Sequence, residues 1–229
     1  MLSESAASPP RWIDVAPERF PGWIESFGDR HGAVRVEDEP DGALVFAAAD
    51  GAVARCYAPF PPVACPHVGQ GPGEVARVLA AHAAADRTVG VLLARLGGYA
   101  AGIFTGTPPR LAASKVGSRL VHGRSAAGGQ SQQRFARRRE KQAAEALGAA
   151  ADTAAGVFGR YGRPLDALVL GGDRRAIAGL RDDPRLRGYF GVAVERFLTV
   201  PDPRLAVLRE TPRMFRAIRI HLTEPPPPA

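Results

Sequence analysis

The sequence predicts an α/β fold in which a mixed sheet is flanked by helices, and three observations carry that expectation. Residues 88–96 (TVGVLLARL) and 165–172 (LDALVLGG) are near-continuous aliphatic runs, as strands covered on both faces require. Between them lies an Ala-, Arg- and Gln-rich stretch, residues 132–158, built from helix formers. Glycines and prolines fall mostly between apolar blocks, where they punctuate the chain.

Taken in order, the ends at residues 1–10 and the closing EPPPPA read as frayed. Residues 17–28 (PERFPGWIESFG) predict a short amphipathic helix carrying Phe20, Trp23, Ile24 and Phe27. Residues 43–57 place two apolar runs around Asp50-Gly51, the signal of a tight hairpin. A proline-rich link, APFPPVACP, follows, and then GEVARVLAAHAAA reads as a helix. After the run at 88–96, Gly97-Gly98 permits a turn into YAAGIFTG, and RLAASKVGSRLVHG extends the sheet as a third strand. Strands joined by such short turns make the sheet at least partly antiparallel. No GxGxxG follows the first of them, which disfavours a plain dinucleotide-binding fold.

The stretch at 132–158 offers Phe135, Ala143, Leu147 and Phe158 for packing, with Gly148 and Gly156 as points of interruption. DRRAIAGL then reads as a short helix, DPRLRGYF as a turn into further helix, and FRAIRI as a last strand. The expected organisation is an N-terminal helix and hairpin layer over residues 1–70, a main α/β domain over 71–224 and a flexible tail at 225–229.

Composition narrows the function. The 229 residues include 30 basic and 23 acidic side chains, a formal charge of +7 that favours an anionic partner. Cys56 and Cys65 are the only cysteines, too few for a disulfide framework or a four-cysteine metal site. The histidines, His31, His67, His82, His122 and His221, form no close ligand pattern, so neither a metal nor another cofactor is expected. No apolar run is long enough to span a membrane, and the opening MLSESAASPPRW lacks the pattern of a signal peptide. A soluble cytoplasmic protein without membrane partners is the expectation.

Positive charge is densest between Arg110 and Lys141: Arg110, Lys115, Arg119, Arg124, Arg134, Arg137, Arg138, Arg139 and Lys141 are opposed only by Glu140. Within it, a glycine-containing loop (HGRSAAGGQ, residues 122–130) runs directly into a basic helix, with Ser131 as its candidate cap. Arg134, Arg137, Arg138 and Lys141 fall near one helical stripe, and Phe135 and Arg139 point elsewhere. One basic face against RNA phosphates is the functional reading; a solvated helix face is the plain one.

The loop separates these readings. Gly128 and Gly129 remove side-chain obstruction and allow Gln130 into a narrow site. A glutamine amide has no useful proton affinity near neutral pH, so it is a poor general base. Its side chain can orient a water, and its backbone N–H can stabilise a developing oxyanion. Such chemistry suits a reaction in which the partner supplies the reactive ester.

His122-Gly123-Arg124, then Gly128-Gly129-Gln130-Ser131, then Arg134-Phe135-Ala136-Arg137 with Arg139 resembles the catalytic domain of eukaryotic and archaeal class 1 peptide release factors. More specifically, the chain resembles the actinobacterial branch of the release-factor-like family that includes the eukaryotic ribosome-quality-control peptidyl-tRNA hydrolase. The likeness covers about residues 88–190. It implies an RNase H-like α/β core with a small N-terminal extension, binding to the large ribosomal subunit, and attack of water on the ester of peptidyl-tRNA. Gln130 is the residue it marks as catalytic, with Gly128 and Gly129 shaping its approach. Ser125-Ala126-Ala127 stands before the double glycine where release factors have almost nothing, so Gln132 and Gln133 remain alternative registers. Arg124, Arg134, Arg137, Arg138, Arg139 and Lys141 are the candidate contacts to ribosomal RNA or tRNA.

The chain has too little length for separate codon-reading and GTPase-binding domains, so codon-independent rescue of stalled or split ribosomes is expected in place of ordinary termination. Two other classes remain: a noncatalytic ribosome- or RNA-binding factor, and a nuclease that removes the 3′ end of the tRNA. Neither cysteine has a matching base motif, and His122 reads as a loop-packing residue more readily than as a base.

Overall fold

The computed structural model describes residues 9–63, 70–95, 97–118 and 131–226, with the backbone alone for Asp38 and for residues 131–139. The chain runs β1 (Arg11–Val15), a 3-10 turn (Pro17–Arg19), α1 (Phe20–His31), β2 (Val34–Asp38), β3 (Leu44–Ala48), β4 (Val53–Tyr57) and α2 (Pro72–Ala84). It continues through β5 (Val89–Arg95), β6 (Gly98–Thr105), β7 (Arg110–Ser118), α3 (Ser131–Arg160), β8 (Ala167–Gly172), α4 (Arg174–Arg181) and α5 (Arg187–Phe190). β9 (Ala193–Leu198), α6 (Leu205–Phe215) and β10 (Ile218–Thr223) complete it.

These elements form two compact units, one comprising Met1–Ala85 with Arg216–Ala229 and the other Asp86–Phe215. The first unit carries an antiparallel sheet in the order β1-β10-β4-β3-β2. β10 alternates strictly, with Ile218, Ile220 and Leu222 buried between Arg219, His221 and Thr223, as a half-solvated strand must. Those three residues join Phe20, Ile24 and Phe27 of α1, Phe46 of β3, and Val75 and Leu79 of α2 in one core.

The compact units divide the chain differently from the expected boundary after residue 70. α2 belongs to the first unit because Val75 and Leu79 fill its core, and β10 returns to that unit because it pairs with β1 and β4. FRAIRI does contain a strand, but in a different sheet from the one the aliphatic runs build. The N-terminal part is accordingly built into a full five-stranded unit and is not a helix and hairpin layer alone.

The hairpin around Asp50-Gly51 forms as expected. Gly51 takes φ 93°, and the Asp50 carboxylate accepts the Ala52 N–H at 2.9 Å, so the side chain holds the turn that glycine permits.

The second unit has the strand order β7-β6-β5-β8-β9. β5, β6 and β7 are antiparallel neighbours, and β5, β8 and β9 run parallel. β5 and β8 are buried along almost their whole length, which explains why their sequences are continuous aliphatic runs. One face receives α3 and α4, through Ala150, Ala154, Phe158, Ile177 and Leu180. The other face receives α6, with Phe215 edge-on to Phe104 at 5.7 Å between ring centres.

The parallel pair is clipped at its start, where Asp166 N–H donates to the Thr88 carbonyl at 2.9 Å and the Asp166 carboxylate accepts the Thr88 N–H at 2.7 Å. It is closely set at its end. Gly172 takes φ 101°, and a Cβ there would collide with the Ala94 carbonyl oxygen.

α3 runs unbroken through Gly148 and Gly156 for 30 residues. Each glycine costs a helix about 1 kcal/mol against alanine. The burial of Ala150, Ala151, Ala154, Val157 and Phe158 against the sheet outweighs that cost.

Candidate functional site

The β7–α3 region is where the sequence concentrates its chemistry. β7 ends at Ser118 and α3 begins at Ser131, so the segment carrying His122, Gly123, Arg124, Gly128, Gly129 and Gln130 joins a sheet edge to the start of the longest helix. Those six residues lie outside the described residues. Gln132, Gln133, Arg134, Arg137, Arg138 and Arg139 belong to the first turns of α3, where the backbone alone is described; Lys141 follows them and is exposed. Ser131, expected as a cap, is the first helical residue.

Partition of charge between the units sharpens the electrostatics. The second unit holds 22 basic and 11 acidic residues, net +11; the first holds 8 and 12, net −4. The overall +7 thus hides a strongly basic unit and an acidic one, and an anionic partner is attracted to the unit that carries α3.

The structure adds basic surface that the linear stripe did not include. β7 is an edge strand, exposed at Arg110 and Lys115. Between it and the far end of α3 lies a groove of about 400 Å³ lined by Lys115, Arg160 and Tyr161. Arg160 is held in place, its Nε donating to the Gly156 carbonyl at 2.8 Å. It lies at the opposite end of α3 from the arginine stripe that begins at Arg134, and only the packing of α3 across β6 and β7 brings it beside Lys115. No sequence signal marks that pairing.

The inventory of reactive groups limits the chemistry. The second unit contains no cysteine, and His122 is its single histidine. Cys56 lies in the first unit, buried in its core, where burial pushes the thiol far above its ordinary range and its S–H approaches the Ala54 carbonyl at 3.7 Å. It is a core thiol and not a nucleophile. Cys65 lies outside the described residues. Among the described residues, no group of three or more His, Cys, Asp or Glu side chains is placed to hold a metal ion, and no helix is long and apolar enough to cross a membrane.

The second unit is thus a mixed α/β sheet crossed by a long helix, and in sequence the basic first turns of that helix directly follow the glycine-containing segment 122–130. Residues 87–221, more than half of the chain, match the model of the Actinobacteria/chloroflexi VLRF1 release factor family. The chain belongs to that family, and it is a release-factor-like translation factor for which association with the ribosome is implied.

No curated protein matches the sequence. Among solved structures the chain is similar to one titled "Vms1 mitochondrial localization core", at 12% identity over 78% of this chain and 76% of that chain, with a TM-score of 0.37.

Proposed function

We propose that this protein hydrolyses peptidyl-tRNA on stalled or split large ribosomal subunits, without reading a codon, and so releases the nascent chain. The observation that supports this most is the joining of Gly128-Gly129-Gln130 to Ser131, Arg134, Phe135, Ala136 and Arg137 in a chain of the release-factor family. The partners are the large subunit, its ribosomal RNA and peptidyl-tRNA, met in the cytoplasm.

In this reading the loop from residue 122 to 130 enters the peptidyl transferase centre at the head of α3. The Gln130 side chain orients the attacking water, and its backbone N–H stabilises the oxyanion as the ester carbonyl becomes tetrahedral. Gly128 and Gly129 let the backbone approach the substrate closely. The ester is intrinsically reactive and is delivered by the ribosome, so positioning of water accounts for much of the catalysis. Arg124, Arg134, Arg137, Arg138, Arg139 and Lys141 hold phosphates, in keeping with the +11 charge of their unit.

The test uses large subunits carrying labelled peptidyl-tRNA, with both products resolved by mass for the wild type and for Gln130→Ala, Gln132→Ala and Gln133→Ala. Free peptide and intact tRNA, lost in Gln130→Ala while binding persists, is the expected result. Loss in Gln132→Ala or Gln133→Ala instead shifts the register. Peptide that keeps a short nucleotide fragment identifies a tRNA nuclease, and binding without cleavage identifies a noncatalytic ribosome-binding factor.

A further inference from the structure

Beside the contact of α3 with α4 lies a second cavity, of about 270 Å³, at the carboxyl ends of β5 and β8. Its topological position is the one at which α/β sheets take ligands. β5 leaves by a hairpin to β6 on one side, and β8 leaves through α4 to β9 on the other, so a crevice opens between their ends.

Small side chains keep the crevice open: Ala143, Ala146 and Ala150 of α3 face Ala94 of β5 and Ala176 of α4. The helices cannot close over it. Leu147 already lies so near α4 that its Cδ1 would stand 2.8 Å from a Cβ at Gly179. Tyr99 forms another wall and is itself seated over Gly117, where a Cβ would come within 2.5 Å of the ring. The space is therefore framed by packed elements.

The mouth is polar. Arg95 and Arg175 line it and are exposed, but the Arg95 guanidinium is taken up by the Val200 carbonyl at 2.9 Å, which leaves Arg175 as the cation available there. Asp173 also lines the mouth, but its carboxylate accepts the Arg175 N–H at 2.8 Å and so caps α4. With the Asp173 carboxylate engaged at the start of α4, Arg175 is the exposed cation lining the mouth of an otherwise apolar chamber.

We propose that this crevice binds a compact apolar ligand bearing one anionic group, its body among the alanines and Leu147 and its anion at Arg175. A cavity of about 150 Å³ accommodates a benzene ring, so this one takes a bicyclic or equivalent aliphatic body. The binding is expected whether or not the loop before α3 hydrolyses an ester.

The probe is 2-naphthoate, titrated into the full chain by calorimetry, with 2-naphthalenemethanol as its uncharged counterpart. Saturable one-to-one binding of naphthoate is expected, with Kd on the order of 1 mM or tighter. The alcohol is expected to bind at least about fivefold more weakly. Ala146→Phe fills the chamber from α3 and Ala176→Leu from α4, and each is expected to weaken naphthoate by more than about tenfold. Arg175→Gln is expected to bring naphthoate to the affinity of the alcohol and leave the alcohol unchanged.

No saturable binding to the folded wild type up to roughly 5 mM overturns the site. So does undiminished binding in either filled variant with wild-type thermal melting; if one fails to fold, the other decides. Equal affinity for acid and alcohol overturns the anionic assignment.

Discussion

The Thr211 hydroxyl donates to the Leu208 carbonyl at 2.7 Å, and that bond is what lets α6 contain Pro212. In an uninterrupted helix the N–H of residue 212 serves the carbonyl of residue 208; proline has none, and the acceptor is left without its partner. Thr211 and Leu208 are both fully buried, so water cannot replace the missing donor. Thr211→Val keeps the shape and removes the donor. It is expected to lower stability by about 1–3 kcal/mol in denaturant unfolding, and Thr211→Ser to retain most of it. Equal midpoints for wild type and Thr211→Val would contradict this role.

Gly172 is the tightest backbone approach in the second unit among the described glycines. Gly172→Ala places a methyl group against the Ala94 carbonyl at a positive φ, and the strain has no flexible side chain to absorb it. A loss of at least about 3 kcal/mol is expected, visible as a lower thermal midpoint or insoluble expression. A variant as stable as the wild type would show that β5 and β8 yield at this point, despite the 2.7 Å bond from the Asp173 N–H to the Ala94 carbonyl.

Glu18 makes a pH prediction for the first unit. Its carboxyl is held below the ordinary glutamate range, first by its own backbone N–H and also by Arg216, against the opposing effect of burial. A folded-state value below the unfolded one stabilises the protein above the unfolded value, and the benefit disappears as pH falls through the folded value. Wild type is therefore expected to melt higher than Glu18→Gln at pH 7, with the two curves converging once pH is well below about 4. A gap at a pH of about 2.5 on the order of its neutral value contradicts the linkage.

The basic stripe makes a salt prediction. Replacing Arg134, Arg137, Arg138 and Lys141 by glutamine is expected to weaken large-subunit binding and to flatten the log–log salt dependence by up to about 3–4. An unchanged slope would assign these residues to a solvated helix face.

Legibility of the fold followed burial. β5 and β8 were readable because both faces are covered, and α1, α2 and α3 because their apolar positions recur at helical spacing. β1, β2 and β9 were not. All three are sheet edges with one hydrogen-bonded neighbour, and charged residues interrupt RWIDV, VRVED and AVERFL. α6 was obscured by Pro212, whose tolerance depends on the Thr211 hydroxyl. β10 was visible as a strand, but its sheet was not, since pairing with β1 and β4 is a contact across most of the chain. Of the candidate site, the helix after Gln130 was readable because helix formers fill residues 132–158, whereas residues 122–130 lie outside the described residues. The Lys115–Arg160 groove and the division of charge between units exist only once the chain is folded.

Codon-independent hydrolysis is tested most directly by the single-turnover rate of peptide release from isolated large subunits bearing peptidyl-tRNA, with no messenger RNA or small subunit present. Release by the wild type is expected, with a fall of about 100-fold or more in Gln130→Ala and subunit binding unchanged. Wild-type release no faster than the spontaneous rate, at saturating binding, would contradict it.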